Sequence, residues 1–387
     1  MSFSEWKKYR LGDFAQIIMG QSPTGDTCNE IGEGIPLLNG PTEFTGHAPI
    51  PVQFTINAKK VSQIGDLLFC VRGSTTGRMN WSDKEYAIGR GLASIRHKKG
   101  KELQPFLRGL IEYNLNNILS QATGSTFPNV SSQQLSNLEV SIPEAKTQQR
   151  IASILVSLDD KIELNRQTNQ TLEAMAQTLF KEMCLPKVEG LQDGCTVESL
   201  EDLVETVSVT HKMKQENVIF LNTSDILEGR VLNNDYCVVS SLPGQAKKSI
   251  KRNDILFSEI RPINKRYAFV NFDADDYVVS TKLMVLRSKG LVSPYLIYCF
   301  LSNSDTLREL QHLAETRSGT FPQITFTQLK NFKILIPDDK TLKRVTKNIT
   351  DIFENMFLIN KESQTLINLR NSLLPRLMKG EINFLKS

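Results

Sequence analysis

The chain carries a version of its own sequence twice. Residues 126–143 (TFPNVSSQQLSNLEVSIP) align without a gap on 320–337 (TFPQITFTQLKNFKILIP), and the prolines at 128 and 143 recur at 322 and 337, an offset of 194. The same offset continues through Gln170-Thr171-Leu172 and Gln364-Thr365-Leu366. Upstream the offset drifts. Leu11-Gly12-Asp13-Phe14 matches Leu200-Glu201-Asp202-Leu203 at 189, Leu38-Asn39 matches Leu221-Asn222 at 183, and Gly65-Asp66-Leu67-Leu68-Phe69 matches Asn253-Asp254-Ile255-Leu256-Phe257 at 188. A drifting offset means insertions and deletions between matched strands, so the connecting loops differ between copies. Each copy therefore joins a globular part with variable loops to a fixed scaffold part. Duplicated modules present duplicated surfaces, which suits a duplicated target or duplicated partners.

The globular parts, roughly 1–144 and 190–338, read as mixed α/β and rich in short strands. Strand-like runs at 67–72, 92–96, 138–142, 255–260, 277–287 and 332–336 are bounded by Gly, Pro, Asn and Asp. Segments 103–121 and 293–314 read as helices, with apolar residues three and four apart.

The scaffold parts show a heptad rhythm. Ile151, Leu155, Leu158, Ile162, Asn165, Asn169, Leu172, Ala176, Leu179 and Met183 follow a four–three alternation. At an offset of 194 the second copy supplies Val345, Ile349, Ile352, Met356, Ile359, Ser363, Leu366, Arg370, Leu373 and Leu377. This predicts a coiled-coil seam in both copies. A helix of about 40 residues is roughly 60 Å long. A helix packed only on a globular core would carry a broader apolar stripe than two positions in seven. Two helices of equal length in one chain most simply pair with each other, and antiparallel pairing would place the globular parts at opposite ends. Asn165, Asn169 and Ser363 are polar seam positions suited to fixing register. Pro375 is expected to kink or end the second helix early.

Composition matters chiefly through charge placement. The net charge is +4, yet 72–101 holds eight Lys/Arg against Asp83 and Glu85, and 245–266 holds seven against Asp254 and Glu259. Basic windows at equivalent places in both copies point to a polyanion. Six cysteines without a C-x-x-C pair and four scattered histidines argue against a zinc site and for buried reduced thiols. No apolar run is long enough to span a bilayer and MSFSEWKKYR is not a signal region, so the expected location is the cytoplasm, with no membrane partner.

No G-x-x-x-x-G-K-[ST], G-x-G-x-x-G or G-x-S-x-G motif is present, and no adjacent proline pair builds an N-P-P-Y-type methyltransferase motif. Pro337-Asp338-Asp339-Lys340 is acidic, but a helix N-terminus accounts for it. Arg72-Gly73-Ser74-Thr75-Thr76-Gly77-Arg78 is the most suggestive loop. Its hydroxyls and amides suit phosphate oxygens, and its arginines suit phosphates or guanine edges. Its counterpart, Arg261-Pro262-Ile263-Asn264-Lys265-Arg266, is equally basic and differs in sequence, as two readers of different half-sites would. The expected DNA contacts are Arg72, Ser74, Thr75, Arg78, Arg90, Lys247, Lys248, Arg261, Asn264, Lys265, Arg266 and Lys282. The expected coiled-coil and partner-binding positions are Ile151, Leu155, Leu158, Ile162, Leu172, Leu179, Val345, Ile349, Ile352, Met356, Leu366 and Leu373, and no catalytic or metal-binding residue is expected.

Taken in order, these features resemble the specificity subunits of type I restriction–modification systems. The repeat, Gly-Ser-Thr-Phe-Pro (124–128) and Ser-Gly-Thr-Phe-Pro (318–322), the Ile-Pro exits at 142–143 and 336–337, and Leu-Arg-Asn-Ser-Leu-Leu-Pro-Arg-Leu-Met-Lys-Gly-Glu-Ile (369–382) carry the resemblance. Such helices often open with Glu-Gln-x-x-Ile; here they open with Thr147-Gln148-Gln149-Arg150-Ile151 and Thr341-Leu342-Lys343-Arg344-Val345. The resemblance implies an α+β chain with two target recognition domains (1–144 and 187–338) and two spacer helices (145–186 and 339–382) in an antiparallel coiled coil. Each domain would read half of a bipartite site in double-stranded DNA. Two modification subunits carrying S-adenosylmethionine and restriction subunits using ATP and Mg would join, and this chain would hold no cofactor and catalyse nothing. The alternatives are a methyltransferase or nuclease with an unrecognised site, and an assembly adaptor that does not read DNA.

Overall fold

The computed structural model describes residues 6–123, 128–184, 194–317 and 321–382. The sequence readings on residues 124–127, 185–193 and 318–320 lie outside them. The chain divides into two compact units, residues 1–167 with 361–387, and residues 168–360.

The first unit is built on an antiparallel sheet of β1 (Ala15–Met19), β2 (Leu67–Cys70), β3 (Met79–Trp81) and β4 (Leu92–His97), in the order β1-β4-β2-β3. Side chains alternate across a strand, and β2 is buried on both faces. Leu67 and Phe69 join a core with Phe106, Leu107 and Leu110 from the helix Gln104–Tyr113. Leu68 and Cys70 join a second cluster with Leu38, Phe44, Tyr86 and Ile88. That burial explains why the strand reads as an unbroken apolar run rather than an alternation.

The second unit repeats this plan. Strands β5 (Val204–Thr206), β6 (Ile255–Ser258), β7 (Tyr267–Phe269) and β8 (Leu283–Ser288) form an antiparallel sheet in the order β5-β8-β6-β7. Ile255 and Phe257 pack with Leu296, Ile297 and Phe300, while Leu256 packs with Ile219, Leu221 and Val279. Each unit also pairs an entry strand with an exit strand, Lys7–Arg10 with Glu139–Ile142 and Thr196–Ser199 with Lys333–Ile336, both antiparallel. The duplication reaches buried charge. Arg96 forks onto Asp66 at 2.6 and 2.7 Å, and Arg287 forks onto Asp254 at 2.7 and 2.8 Å. In both pairs the guanidinium is held above its ordinary value, first by the hydrogen bond to the carboxylate.

Three predicted elements are divided. The run 277–287 becomes Tyr277–Ser280 in a second sheet and β8 in the first, with Thr281-Lys282 between them. The helical segments split into Gln104–Tyr113 with Leu115–Ser120, and Pro294–Ser302 with Ser304–Arg317. An asparagine sits at each break, bonding backbone as these side chains do. Asn114 Nδ2 donates to the Leu110 carbonyl at 2.8 Å, and Asn303 Oδ1 accepts from the Asp305 amide at 2.9 Å.

The scaffold segments are α1 (Ala145–Cys184) and α2 (Asp339–Met378). Within the first unit they pair antiparallel: Asp159 meets Arg370, and Asn165 donates to Glu362 and Ser363. Within the second unit Asn169 meets Asn360 in the same sense. The apolar stripe is wider than the expected seam. Ala152, Phe180, Phe353 and Met378 are buried outside it because the helices also complete the globular cores. Seam packing and packing on the domains thus coexist. Pro375 does not end α2 early; the helix runs on to Met378. Its missing N–H falls in the last turn, where the carbonyl left unbonded belongs to exposed Asn371 and faces water.

Arg370 takes the seam position that Ala176 holds in the other copy. It is 7% exposed and binds Glu112 at 2.7 and 2.7 Å and Asp159 at 2.5 Å. Burial pushes the Glu112 carboxyl up, but the Arg370 hydrogen bond and the charges of Arg370 and Arg108 outweigh it and leave it below its ordinary 4.5. A depressed carboxyl stabilises the fold above its unfolded value and loses that contribution as pH falls through its folded value. Arg370→Ala is therefore expected to cost about 3–5 kcal/mol at neutral pH. In urea titrations the gap from the unsubstituted chain should narrow below pH 4.5, where Glu112 takes up its proton.

Candidate nucleic-acid interface

In the first unit the chain leaves β2 into the loop 72–78 and returns as β3. Gly73 and Gly77 have φ of +94° and +95°, conformations that favour glycine. The loop is tied down by backbone and by one hydroxyl: the Gly73 amide donates to the Pro128 carbonyl at 3.1 Å, Thr76 Oγ1 donates to the same carbonyl at 2.9 Å, and the Cys70 amide donates to the Arg78 carbonyl at 2.8 Å. Arg72 and Arg78 are exposed at its two ends. Arg72 Nε reaches Asn129 Oδ1 at 3.5 Å and Arg78 reaches the Pro41 carbonyl at 3.4 Å, both long contacts that a ligand could displace. Ser74 is exposed and Thr75 half-buried.

The second unit builds the same frame at an offset of 188. The Arg261 amide donates to the Pro322 carbonyl at 3.1 Å, and the Ser258 amide donates to the Arg266 carbonyl at 2.8 Å. A short turn, Pro262–Asn264, lies between Arg261 (φ +45°) and Lys265 (φ +54°). Arg261, Asn264 and Lys265 are exposed, and Lys265 Nζ lies 2.9 Å from Glu228. Nearby, the Glu173 carboxyl is raised, first by burial and then by the charge of Glu228.

The structure separates the basic windows into structural and available cations. Arg96 is committed to Asp66, and Lys98 Nζ donates to the Gly12 carbonyl at 2.6 Å. Arg266 donates to the Ser224 and Ile226 carbonyls at 3.0 and 3.1 Å. Lys248 Nζ donates to the Thr281 and Leu283 carbonyls at 3.2 and 2.7 Å, and burial lowers its pKa from the ordinary lysine value. Arg90, Lys247, Arg261 and Lys282 are exposed and, among the described residues, form no ion pair.

Other groups escaped sequence reasoning. Phe321 is 73% exposed and adjoins Pro322, whose carbonyl anchors Arg261. Its one signal was an aromatic residue in an otherwise small, polar loop. Asn39 Nδ2 donates to Gln53 Oε1 at 3.1 Å, and Ser22 Oγ accepts from the Arg90 amide at 3.2 Å while contacting Asn39 at 3.4 Å. Amide side chains of this kind suit adenine edges, and only contacts between distant loops reveal the group.

The heptad positions are placed as a helix–helix seam. Ile151, Leu155, Val345, Ile349 and Ile352 are buried, and Leu158, Ile162, Leu172, Leu179, Met356, Leu366 and Leu373 are half-buried. Apolar side chains on the open faces of the helices are different ones: Leu164, Met175, Leu358 and Leu369, each between 45 and 65% exposed.

Lys248 and Lys247 offer an internal control. Lys248→Ala should cost about 1–2 kcal/mol, because two half-buried carbonyls lose a donor, whereas Lys247→Ala should stay within about 0.5 kcal/mol. Equal midpoints for the two variants in chemical denaturation would contradict this sorting.

The chain is similar to known proteins. The family model described as "Type I restriction modification DNA specificity domain" matches residues 3–174 and 193–369. The chain is 43% identical over 158 residues to the type I restriction enzyme HindI specificity subunit of Haemophilus influenzae, covering 41% of this chain and 34% of that protein. It is 31% identical over 186 residues to the putative MjaX specificity subunit of Methanocaldococcus jannaschii, covering 48% of this chain and 44% of that one. These two matches therefore span less than half of either relative. The MjaIX specificity subunit of the same organism aligns over 411 positions at 26% identity, covering 98% of this chain and 94% of that protein. Among solved structures, the type I restriction–modification S subunit from M. genitalium shares the fold with a TM-score of 0.61 at 15% identity, covering 97% of both chains.

Proposed function

The chain belongs to the type I restriction–modification DNA specificity family, and from that premise we propose that it selects a bipartite site in double-stranded DNA, one half per recognition domain. The domains are residues 1–144 and 187–338, and the segments 145–186 and 339–382 are spacers between them. The observation that carries this reading is the pair of loops on one backbone frame. Each is anchored to the carbonyl of its Phe-Pro proline, and each displays a different set of exposed cations.

The chemistry divides between affinity and choice. Lysines and arginines neutralise phosphates and release counterions, which gives affinity and salt dependence. Arginine forks and amide side chains facing base edges give discrimination. In the first domain Arg72, Arg78 and Arg90 supply the charge, and Ser74, Thr75, Asn39 and Gln53 supply neutral donors and acceptors. In the second domain Arg261, Asn264, Lys265, Lys247 and Lys282 take these roles. Arg266 and Lys248 position the surface from beneath, through the carbonyls they hold.

This chain performs no transfer chemistry in the proposal. Two modification subunits supply S-adenosylmethionine and methylate each half-site; restriction subunits supply ATP- and Mg-dependent cleavage, all in the cytoplasm. The modification subunits dock on the open faces of the helices, where Leu164, Met175, Leu358 and Leu369 are exposed. Two half-sites on one face of B-DNA lie about 34 Å apart, and the spacers set that distance.

Methylation mapping tests this. DNA from cells expressing the chain with its modification subunit should carry methyl groups at a bipartite motif with a fixed gap. Arg72→Glu with Arg78→Glu should degrade one half of that motif and spare the other. In vitro, each phosphate contact removed should reduce the slope of log K against log salt by about 1. Methyl transfer by the purified chain alone, or an unchanged motif in the double variant, would refute the assignment.

A further inference from the structure

We propose that Arg261 and Lys265 are the specificity-determining cations of the second domain, kept at left-handed backbone positions that glycine would occupy at lower cost. This rests on the DNA-reading role above and identifies which residues carry it. At the offset of 188, Arg261 corresponds to Gly73 and Lys265 to Gly77. The backbone agrees. Gly73 and Arg261 donate their amides to the equivalent carbonyls of Pro128 and Pro322, and φ is +94° and +95° at the two glycines against +45° and +54° at Arg261 and Lys265. A Cβ in this region crowds the following carbonyl, and long side chains rarely settle there.

A third pair in the same register supplies the contrast. Gly65, with φ +91°, corresponds to Asn253, with φ +72°. Asparagine tolerates this conformation best among residues with a side chain. At 253 the second copy therefore took the residue that suits the backbone. At 261 and 265 it took two cations that do not, both exposed and both flanking one turn. Met213 and Glu228 also have positive φ, but only at 261 and 265 do exposed cations replace glycines of the first copy's loop, and strain of this kind clusters at functional sites.

A purely structural role does not account for them. The ion pair of Lys265 with Glu228 is half-exposed on both sides, and such pairs add less than left-handed strain removes. Arg261 has no ion pair among the described residues. The exchange also relocates charge within a common frame. The first loop carries arginines at 72 and 78, whose equivalents are Ile260 and the internally bonded Arg266; the second carries its exposed cations at 261 and at 265, where Lys265 pairs with Glu228. Shifting donors along one frame changes which base edges they meet.

The test separates strain from charge. Arg261→Gly and Lys265→Gly are compared with Arg261→Ala and Lys265→Ala, which lose the same charge but keep a Cβ. In thermal unfolding of the full chain, each glycine variant should melt about 2–4 °C above its alanine partner. In methylation mapping with the modification subunit, all four should lose roughly tenfold or more of the selectivity at one half of the motif. That half should be the one that Arg72→Glu with Arg78→Glu leaves intact. Equal melting of the glycine and alanine variants overturns the strain argument. A stabilised glycine variant that keeps the full motif overturns the specificity assignment, while the arginine-reversal result still stands for the DNA reading. If the unsubstituted chain directs no bipartite methylation, the DNA reading falls and this inference with it.

Discussion

A methyl group placed on Gly109 would stand 2.7 Å from Leu155 Cδ1, 2.7 Å from Met378 Cε and 3.2 Å from Leu374 Cδ1. That three-way approach of the helix Gln104–Tyr113, α1 and α2 closes the core of the first unit. Its consequence is topological. The first globular half is completed by the last helix turns of the second sequence copy, so neither copy is an independent bead. The second unit shows the same logic, with Ala176 and Phe180 from α1 and Val345, Ile349 and Phe353 from α2 in one core with Ile297 and Phe300. Contacts such as Asp159 with Arg370 close a very long loop, whose entropic cost grows only slowly with length. The helices are thus parts of both cores rather than appendages to them.

Polar groups sharpen that packing. Asn165, 3% exposed, donates to Glu362 and Ser363, so a buried amide that is costly to leave unbonded ties these positions of α1 and α2 together. Arg370 opposite Asp159 and Glu112 adds a charged constraint in the first unit where the second has the small Ala176. The two seams are thus related by sequence and distinct in chemistry. The buried forks Arg96–Asp66 and Arg287–Asp254, by contrast, are retained in both copies, because both bind the start of a central strand to its neighbour.

Much of this architecture was legible because periodicity and self-similarity are local signals. The heptad residues line a buried to half-buried seam in antiparallel pairing, β2 and β6 fall within their apolar runs, and β4 overruns its run by one residue, His97. What could not be read depends on tertiary contact. Phe180, Ala152 and Phe353 lie off the heptad and are buried only because a globular surface covers them. Asn114 and Asn303 break helices that apolar spacing alone would continue. The basic windows were visible as charge, but a count cannot distinguish Arg96, spent on Asp66, from Arg90, which is exposed. Nor could it separate Lys248, whose ammonium sits under two carbonyls, from exposed Lys247.

Under the DNA-reading role proposed above, the loops 72–78 and 261–266 show how duplication with divergence supplies two readers. Their backbone is held by main-chain bonds, Gly73 to Pro128 and Arg261 to Pro322, that make no demand on side-chain identity. A frame of that kind can change its side chains without losing its shape, so the donors are free to move. The limit is set by the backbone itself, since positive φ at both ends of the loop penalises every residue but glycine and, less severely, asparagine. The first copy obeys that limit and displays its arginines just outside it, at 72 and 78. The second copy overrides it at 261 and 265, so its cations emerge from positions that are empty in the first. Two loops on equivalent main-chain anchors thereby present charge at different places, which is what the proposed reading of two different half-sites requires.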